Sequence, residues 1–262
     1  MKIALCQINP TVGALDANKE LILSNYKEAV ENGADLVVFP EMVITGYPIA
    51  DLLYEDGFVD ENKKVLGEIA DKSTVPLILG YIDKDKEHLF NSAAVCVNGE
   101  QVYRYDKLLL PTYDVFDEDR YFSAGTEPGI CELQVGGKEV KIGLEICEDL
   151  WDEDYDRNIS KELHEAGVDC IINISASPYH ELRLNERLDL VQSKVQLTNI
   201  PFYYCNLVGA QDELIFDGQS IAMNGDGSLV GLGTIFQEEI IYIDTEDDST
   251  VEIPQKSREA EL

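Results

Sequence analysis

Cys147 is the residue whose type and position most clearly suggest chemistry. The apolar, β-prone run KIGLEI (residues 141–146) stops at this thiol, and two carboxylates, Glu148 and Asp149, follow at once. Many α/β enzymes present a reactive atom at the edge of a sheet in this way, on a nucleophile that ends a strand. The position therefore marks Cys147 as a candidate nucleophile, although a buried thiol is the commoner role of such a cysteine.

Two other strand-like runs end in residues that suit the same chemistry. Residues 36–40 lead to Glu41, and residues 101–106 lead to Lys107. Either residue alone is typical of a solvated strand end. Together with Cys147, however, they supply a base, an ammonium group and a thiol, which are the parts needed for amide hydrolysis through a thioester.

Alternating helix and strand patterns must position these groups. Helices are predicted over 17–32 (opened by Asp16), 59–71, 157–166 and 183–199, and strands over 3–8, 35–40, 75–81, 168–174, 202–208 and 240–243. Asn98-Gly99 predicts a two-residue hairpin, and a second hairpin joins 218–223 to 229–232. With hairpins between the helices, a purely parallel sheet fits poorly, so we expect an α/β protein with mixed sheets.

Length and charge narrow the class of protein. The 262 residues are enough for one large core, and no linker divides them. The net charge of −31 argues against nucleic acid and anionic membrane as partners. No apolar run is long enough to span a membrane, and the start of the chain turns polar too soon for a secretory signal, so we expect a cytoplasmic protein. Residues 1–244 are predicted to form one domain, and 245–262 a polar tail.

Cysteine and histidine usage suggests neither disulfides nor a metal. The six cysteines form no CxxC pair, which is typical of a reducing compartment, and the three histidines lack ligand spacing. No metal and no cofactor is expected. A Cys–His hydrolase using His164 or His180 is disfavoured because neither histidine follows a strand end.

Several separated strings resemble the nitrilase, or carbon–nitrogen hydrolase, superfamily. They are FPEMVITGYP (39–48), YDKLLLP (105–111) and EICED (145–149). Within the superfamily the chain most resembles the glutaminase domain of glutamine-dependent NAD synthetase, through GYPIADLL (46–53), LPTYDVFDEDRYF (110–122) and CEDLW (147–151). The resemblance runs from Met1 to about Asp244. It implies a four-layer αββα sandwich in which two mixed sheets pack face to face.

The resemblance also implies roles for individual residues. Glu41, Lys107 and Cys147 match the Glu-Lys-Cys triad of the superfamily as base, oxyanion stabiliser and nucleophile. Glu118, eleven residues past the lysine, matches a further carboxylate that supports the lysine and the substrate. A turn residue in an acidic loop is the alternative for Glu118.

A second group of residues matches the substrate site of the glutaminase pattern. Tyr113 is implied to help hold glutamine, and Ser177 and Arg183 to bind its α-groups. Glu148 is a candidate partner of the α-ammonium. A guanidinium suits a carboxylate because it offers a planar fork of two donors. The alternative for Arg183 is a surface charge that opens a helix.

One departure from the synthetase pattern leaves the function open. No Ser-Gly-Gly-rich phosphate loop of an ATP-binding synthetase domain is present in these 262 residues. The first hypothesis is a glutamine amidohydrolase that releases ammonia to a separate NAD synthetase. The second is a free-standing amidase or nitrilase-type hydrolase of another small amide, and the third is a non-catalytic assembly partner. We also expect a homo-oligomer.

Overall fold

Helices and strands alternate along the chain much as the hydrophobic pattern predicts. The computed structural model describes residues 1–113, 116–247 and 249–253. The elements are β1 (Lys2–Gln7), α1 (Leu15–Glu31), β2 (Leu36–Val38), α2 (Phe58–Ala70), β3 (Leu77–Asp85), β4 (His88–Val97), β5 (Glu100–Asp106), β6 (Gly129–Val135), β7 (Lys138–Ile146), α3 (Ile159–Glu165), β8 (Cys170–Ser175), α4 (Arg183–Thr198), β9 (Phe202–Asn206), β10 (Val208–Gln211), β11 (Leu214–Asp217), β12 (Ile221–Met223), β13 (Leu229–Leu232) and β14 (Glu239–Asp244).

The strands form two large mixed sheets and one short ribbon. The first sheet has the order β14-β1-β2-β3-β4-β5, and the second has the order β13-β12-β9-β8-β7-β6. Parallel pairing joins β1, β2 and β3 in the first sheet and β7, β8 and β9 in the second, while the other pairs are antiparallel. The ribbon consists of β10 and β11.

The two sheets pack against each other, and helices cover their outer faces. Ile3 and Leu5 of β1 lie in a core with residues of the second sheet, whereas Ala4 and Cys6 pack with residues of α1 and α2. Both faces of β1 are therefore buried, which is why its sequence is continuously apolar rather than alternating. Helices α3 and α4 lie against the second sheet. The predicted four-layer αββα sandwich is confirmed.

Several predicted boundaries need correction. Helix α1 begins at Leu15, so Asp16 lies in its first turn instead of opening it. The strand predicted over 218–223 begins only at Ile221, because Gly218 and Gln219 have positive φ angles that a strand does not accommodate. Asn98 and Gly99 both have positive φ, as the predicted hairpin turn requires.

The end of the chain lies partly beyond the described residues. Of the predicted polar tail, Asp248 and residues 254–262 fall outside them. Before that point, the Val251 N–H donates to the Leu229 carbonyl at 2.9 Å. Among the helices in the described part of the chain, none is long and apolar enough to cross a membrane.

Candidate active site

Glu41, Lys107 and Cys147 come together where strands of both sheets end. Glu41 follows β2 and Lys107 follows β5, both in the first sheet, whereas Cys147 follows β7 in the second. Lys107 Nζ lies 2.9 Å from Glu41 Oε1. Both carboxylate and ammonium are buried, and Cys147 is 7% exposed. The three groups predicted from separate strand ends thus share one buried site between the sheets.

The Glu41 carboxylate is held by three donors. Its Oε1 accepts from Lys107 and, at 2.6 Å, from Asn91 Nδ2, while its Oε2 accepts from the Ala176 N–H at 2.8 Å. Ala176 follows β8 of the second sheet, so the carboxylate also connects the two sheets. Its position depends on Gly80, since a Cβ there would lie 2.6 Å from Glu41 Cα.

Lys107 lies between two buried carboxylates. Its Nζ is 2.9 Å from both oxygens of Glu118, which also accepts from the Tyr47 hydroxyl at 3.0 Å. Burial alone would lower the pKa of Lys107, but the charges of Glu118 and Glu41 outweigh burial and hold it well above its usual value. The pKa of Glu118 is raised by burial, against the pull of Lys107. A charged ammonium is therefore fixed beside the thiol.

Cys147 occupies a strained turn and resists ionisation. Its φ of +45° lies in the left-handed region, which non-glycine residues rarely adopt outside turns and functional sites. Burial, followed by the charge of Glu41, raises the pKa of the thiol, and Lys107 opposes this. Among the carboxylates that raise the pKa of this thiol, Glu41 has the largest effect.

A cleft of about 610 Å³ contains three of the predicted substrate residues, Tyr113, Glu148 and Arg183. The Tyr113 hydroxyl donates to Glu148 at 2.9 Å, and the Tyr155 hydroxyl donates to it at 3.1 Å. Burial raises the pKa of Glu148 to about 7. The Arg183 guanidinium lies 5.1 Å from the centre of the Trp151 ring. The cleft therefore offers to a ligand the buried Glu148 carboxylate and the Arg183 guanidinium, which also lies 3.4 Å from Glu186. The other acidic residues of its lining are Glu153, Asp154 and Asp189.

Ser177, the fourth residue predicted at the substrate site, lies outside this cleft. It is 3% exposed and is not among the residues that line this cleft. Its hydroxyl accepts from Arg187 at 3.2 Å, and Arg187 also pairs with Asp217 at 2.9 Å. The guanidinium beside Ser177 is thus Arg187, which lies four residues beyond Arg183 on α4.

Several residues at the site were not predicted from the sequence. Asn91 and Tyr47 donate to the buried carboxylates of Glu41 and Glu118, and Arg187 holds the segment that contains Ser177. Tyr47 lies within the GYPIADLL string, which was a usable signal. Asn91 lies mid-strand in β4 without any pattern to mark it. Within the described residues no cluster of His, Cys, Asp and Glu could hold a metal ion.

Comparison with known proteins gives consistent results. The model of the family described as "Carbon-nitrogen hydrolase" matches residues 2–255. A glutamine-dependent NAD(+) synthetase from Thermotoga maritima is 38% identical over 97% of this chain and 43% of its own length. One from Synechocystis is 37% identical over 92% of this chain and 45% of its own length. The chain therefore spans less than half the length of these relatives.

Solved structures give the same fold. The glutamine-dependent NAD+ synthetase from Acinetobacter baumannii superimposes with a TM-score of 0.89 at 30% identity, covering 98% of this chain and 48% of that one. An amidase of the nitrilase superfamily from Nesterenkonia AN1 has a TM-score of 0.81 at 22% identity, covering 94% of this chain and 91% of that one. The second likeness supports the fold alone.

Proposed function

Because the chain belongs to the carbon–nitrogen hydrolase family, we propose that it hydrolyses a small carboxamide through a thioester on Cys147 and releases ammonia. The observation that carries the proposal is the buried contact of 2.9 Å between Lys107 Nζ and Glu41 Oε1 beside the strained Cys147 turn. This arrangement provides nucleophile, base and oxyanion stabiliser without a histidine.

The proposed reaction proceeds in two halves. Glu41 accepts the thiol proton as Cys147 Sγ attacks the amide carbon, and Lys107 stabilises the oxyanion that forms. The C–N bond then breaks, and Glu41 returns the proton to the leaving ammonia. In the second half a water gives a proton to Glu41 and attacks the thioester. The carboxylic acid leaves, and the sulfur regains its proton.

Glutamine is the substrate that we propose. In the cleft, the Arg183 guanidinium suits the α-carboxylate, and the Glu148 carboxylate, oriented by Tyr113, suits the α-ammonium. Ser177 is not one of the proposed ligands because it does not line this cleft, and its hydroxyl accepts from the buried Arg187. The similarity to relatives named as glutamine-dependent NAD(+) synthetases supports the same substrate and suggests that the ammonia is used in NAD synthesis.

Ammonia release from a panel of amides tests the proposal. Glutamine, asparagine, butyramide and propionamide are compared with the purified chain, and NAD formation is followed after addition of an ammonia-dependent NAD synthetase. We expect glutamine to be preferred. Efficient turnover of an uncharged amide with indifference to glutamine would favour the free-standing amidase instead.

Cys147→Ala is the decisive variant in the same assay. We expect it to abolish ammonia release, and intact-mass measurement of the unmutated protein with a slow substrate should show an acyl group on Cys147. Cys6→Ala is the control: Cys6 is buried in β1, so its loss should cost roughly 1 kcal/mol of stability and leave activity in the folded protein. An active Cys147→Ala protein would refute the thioester.

A further inference from the structure

Asp149 is a buried carboxylate with four hydrogen-bond donors around it. It lies two residues past Cys147, in the short 3₁₀ turn Cys147–Leu150, and has no exposed surface. Nothing in the proposed reaction uses it. Burying a carboxylate is costly unless its oxygens are well paired, so the identity of its partners indicates what it is for.

The partners of Asp149 lie on both sides of Lys107 in sequence and directly before Cys147. Oδ1 accepts from the N–H groups of Leu108 at 3.0 Å and Leu109 at 2.9 Å, directly after Lys107. Oδ2 accepts from the Tyr105 hydroxyl at 2.7 Å, two residues before Lys107, and from the Ile146 N–H at 2.9 Å, directly before Cys147. One carboxylate therefore holds the backbone that follows β5 against the backbone that ends β7.

This bridging matters because the two backbone segments belong to different sheets. β5 is an edge strand of the first sheet, and β7 lies in the second, so no ladder of backbone hydrogen bonds fixes Lys107 relative to Cys147. We infer that Asp149 is a positioning residue that sets the distance between the Lys107 ammonium and the Cys147 sulfur, an inference that rests on the proposed hydrolysis.

An amide cannot replace this carboxylate. Asparagine at 149 would turn its NH₂ group toward the Leu108 and Leu109 N–H groups or toward Tyr105 and the Ile146 N–H, and either way donors would face donors. Lys107 and Cys147 would then separate. A misplacement of about 1 Å typically costs on the order of 100-fold in rate, while Arg183 and Tyr113 remain in the cleft to bind substrate.

The experiment compares Asp149→Asn with Asp152→Asn in the full chain. Asp152 is also buried and is also bonded to a backbone N–H, that of Ile159 at 3.0 Å, but its ion pair is with Lys194, and neither partner is a sequence neighbour of a triad residue. We expect Asp149→Asn to lower kcat by about 100-fold with KM changed by less than about 3-fold. Asp152→Asn should keep its kcat in the folded fraction. Equal kcat losses in both variants would overturn the inference.

A second readout does not depend on the substrate. The pH dependence of Cys147 alkylation by iodoacetamide reports the pKa of the thiol, which the nearby Lys107 charge lowers. Removing the negative charge of Asp149 would by itself move the alkylation profile to lower pH. Separation of Lys107 from Cys147 moves it to higher pH, so an upward shift in Asp149→Asn is expected, and an unchanged or lowered profile overturns the inference.

If Asp149→Asn does not fold, Tyr105→Phe tests the same inference about Asp149. It removes only the hydroxyl that donates to Asp149 Oδ2, from a buried ring that otherwise stays in place. We expect kcat to fall about five-fold with KM unchanged, and unchanged kcat would contradict the inference. If the unmutated protein hydrolyses no amide, the proposed function fails, but the alkylation profiles still test the position of Lys107.

Discussion

Lys107 is the residue on which the electrostatics of the site depend. Its ammonium lies 2.9 Å from both Glu41 and Glu118 and is buried with them. Removing one partner of such a group leaves an uncompensated buried charge, which is more damaging than the loss of a single hydrogen bond. The lysine therefore holds a charged ammonium between the two buried carboxylates, where the proposed reaction needs a group to stabilise the oxyanion.

Lys107→Met and Glu41→Gln should both be severely impaired but at different steps. Loss of the ammonium should cost about 3 kcal/mol or more in the barrier to acylation. Loss of the base should block both acylation and hydrolysis of the thioester. Single-turnover kinetics with an activated ester separate the two steps. Turnover near that of the unmutated protein in either variant would refute the triad.

Arg183→Leu should change substrate preference more than catalysis. A charge-assisted hydrogen bond to a carboxylate contributes about 1.5–3 kcal/mol and is lost only for substrates that carry one. The ratio of kcat/KM for glutamine over butyramide should thus fall roughly ten-fold or more. The control is Arg157→Leu, which removes a guanidinium paired with Glu162, outside this cleft. Equal losses on both substrates would show that Arg183 supports the fold.

The sequence was informative about residues that follow strands and less so about their distant partners. Glu41, Lys107 and Cys147 each stand at the end of an apolar run, so their type and place could be predicted and the resemblance placed them together. The pairing of Ser177 with Arg187 could not be predicted from the sequence. It depends on Asp217, whose position is set by β11 rather than by neighbours in sequence.

At the scale of elements, the close packing of β3 against the turn that contains Glu41 sets the position of this residue. Gly80 in β3 lies so near this turn that a Cβ would come within 2.2 Å of Met42 N. Backbone atoms cannot move aside as a flexible side chain can. The strand therefore requires glycine there, although glycine weakens strands in general.

Gly80→Ala should accordingly lose both stability and activity. Overpacking against the backbone typically costs about 1–3 kcal/mol, and the shift would move Glu41 away from Lys107. Gly67→Ala is the matched control: Gly67 lies in α2 with nothing within 4 Å of its added Cβ, so this variant should gain up to about 1 kcal/mol. Chemical denaturation and ammonia release check both. A tolerated Gly80→Ala would show that the turn can relax.

The helices were predicted well, whereas several strands were missed. The four α-helices in the described part of the chain were predicted to within a few residues. Strands β6, β10 and β11 were not predicted. The ribbon β10–β11 contains Gly209, and residues 214–216 are all apolar although Ile215 is exposed, so its sequence lacks the alternation of apolar and polar residues that identifies a strand. The predicted homo-oligomer and the extent of the polar tail stay predictions.

At the scale of the whole molecule, burial of carboxyl groups between layers makes stability depend on pH. Glu145 in β7 is fully buried, and burial raises its pKa to about 8. A carboxyl whose pKa is raised by folding binds its proton more tightly in the folded state. At a pH below the ordinary pKa of a glutamate, Glu145 is protonated in both the folded and the unfolded state and does not affect stability. As the pH rises from about 5 to about 8, the unfolded state loses this proton first, so the free energy of unfolding falls.

Glu145→Gln should remove this dependence. Between pH 5 and pH 8, the free energy of unfolding of the unmutated protein should fall relative to that of the variant by roughly 1 kcal/mol or more. Glu139→Gln, at an exposed position of the same strand, should follow the unmutated protein. Urea unfolding at several pH values measures both. Parallel curves for Glu145→Gln and the unmutated protein would contradict the expected protonation.

The division of the site between two sheets has a consequence for how the protein reaches its active form. Glu41 contacts Lys107 across 66 positions and Ala176 across 135 positions of the chain, so these contacts close very long loops. Such contacts form late, after local helices and hairpins. During refolding, the circular dichroism signal should therefore recover before ammonia release does. If the proposed activity is confirmed, its recovery would report that the two sheets have packed together, since Glu41 and Lys107 follow strands of one sheet and Cys147 follows a strand of the other.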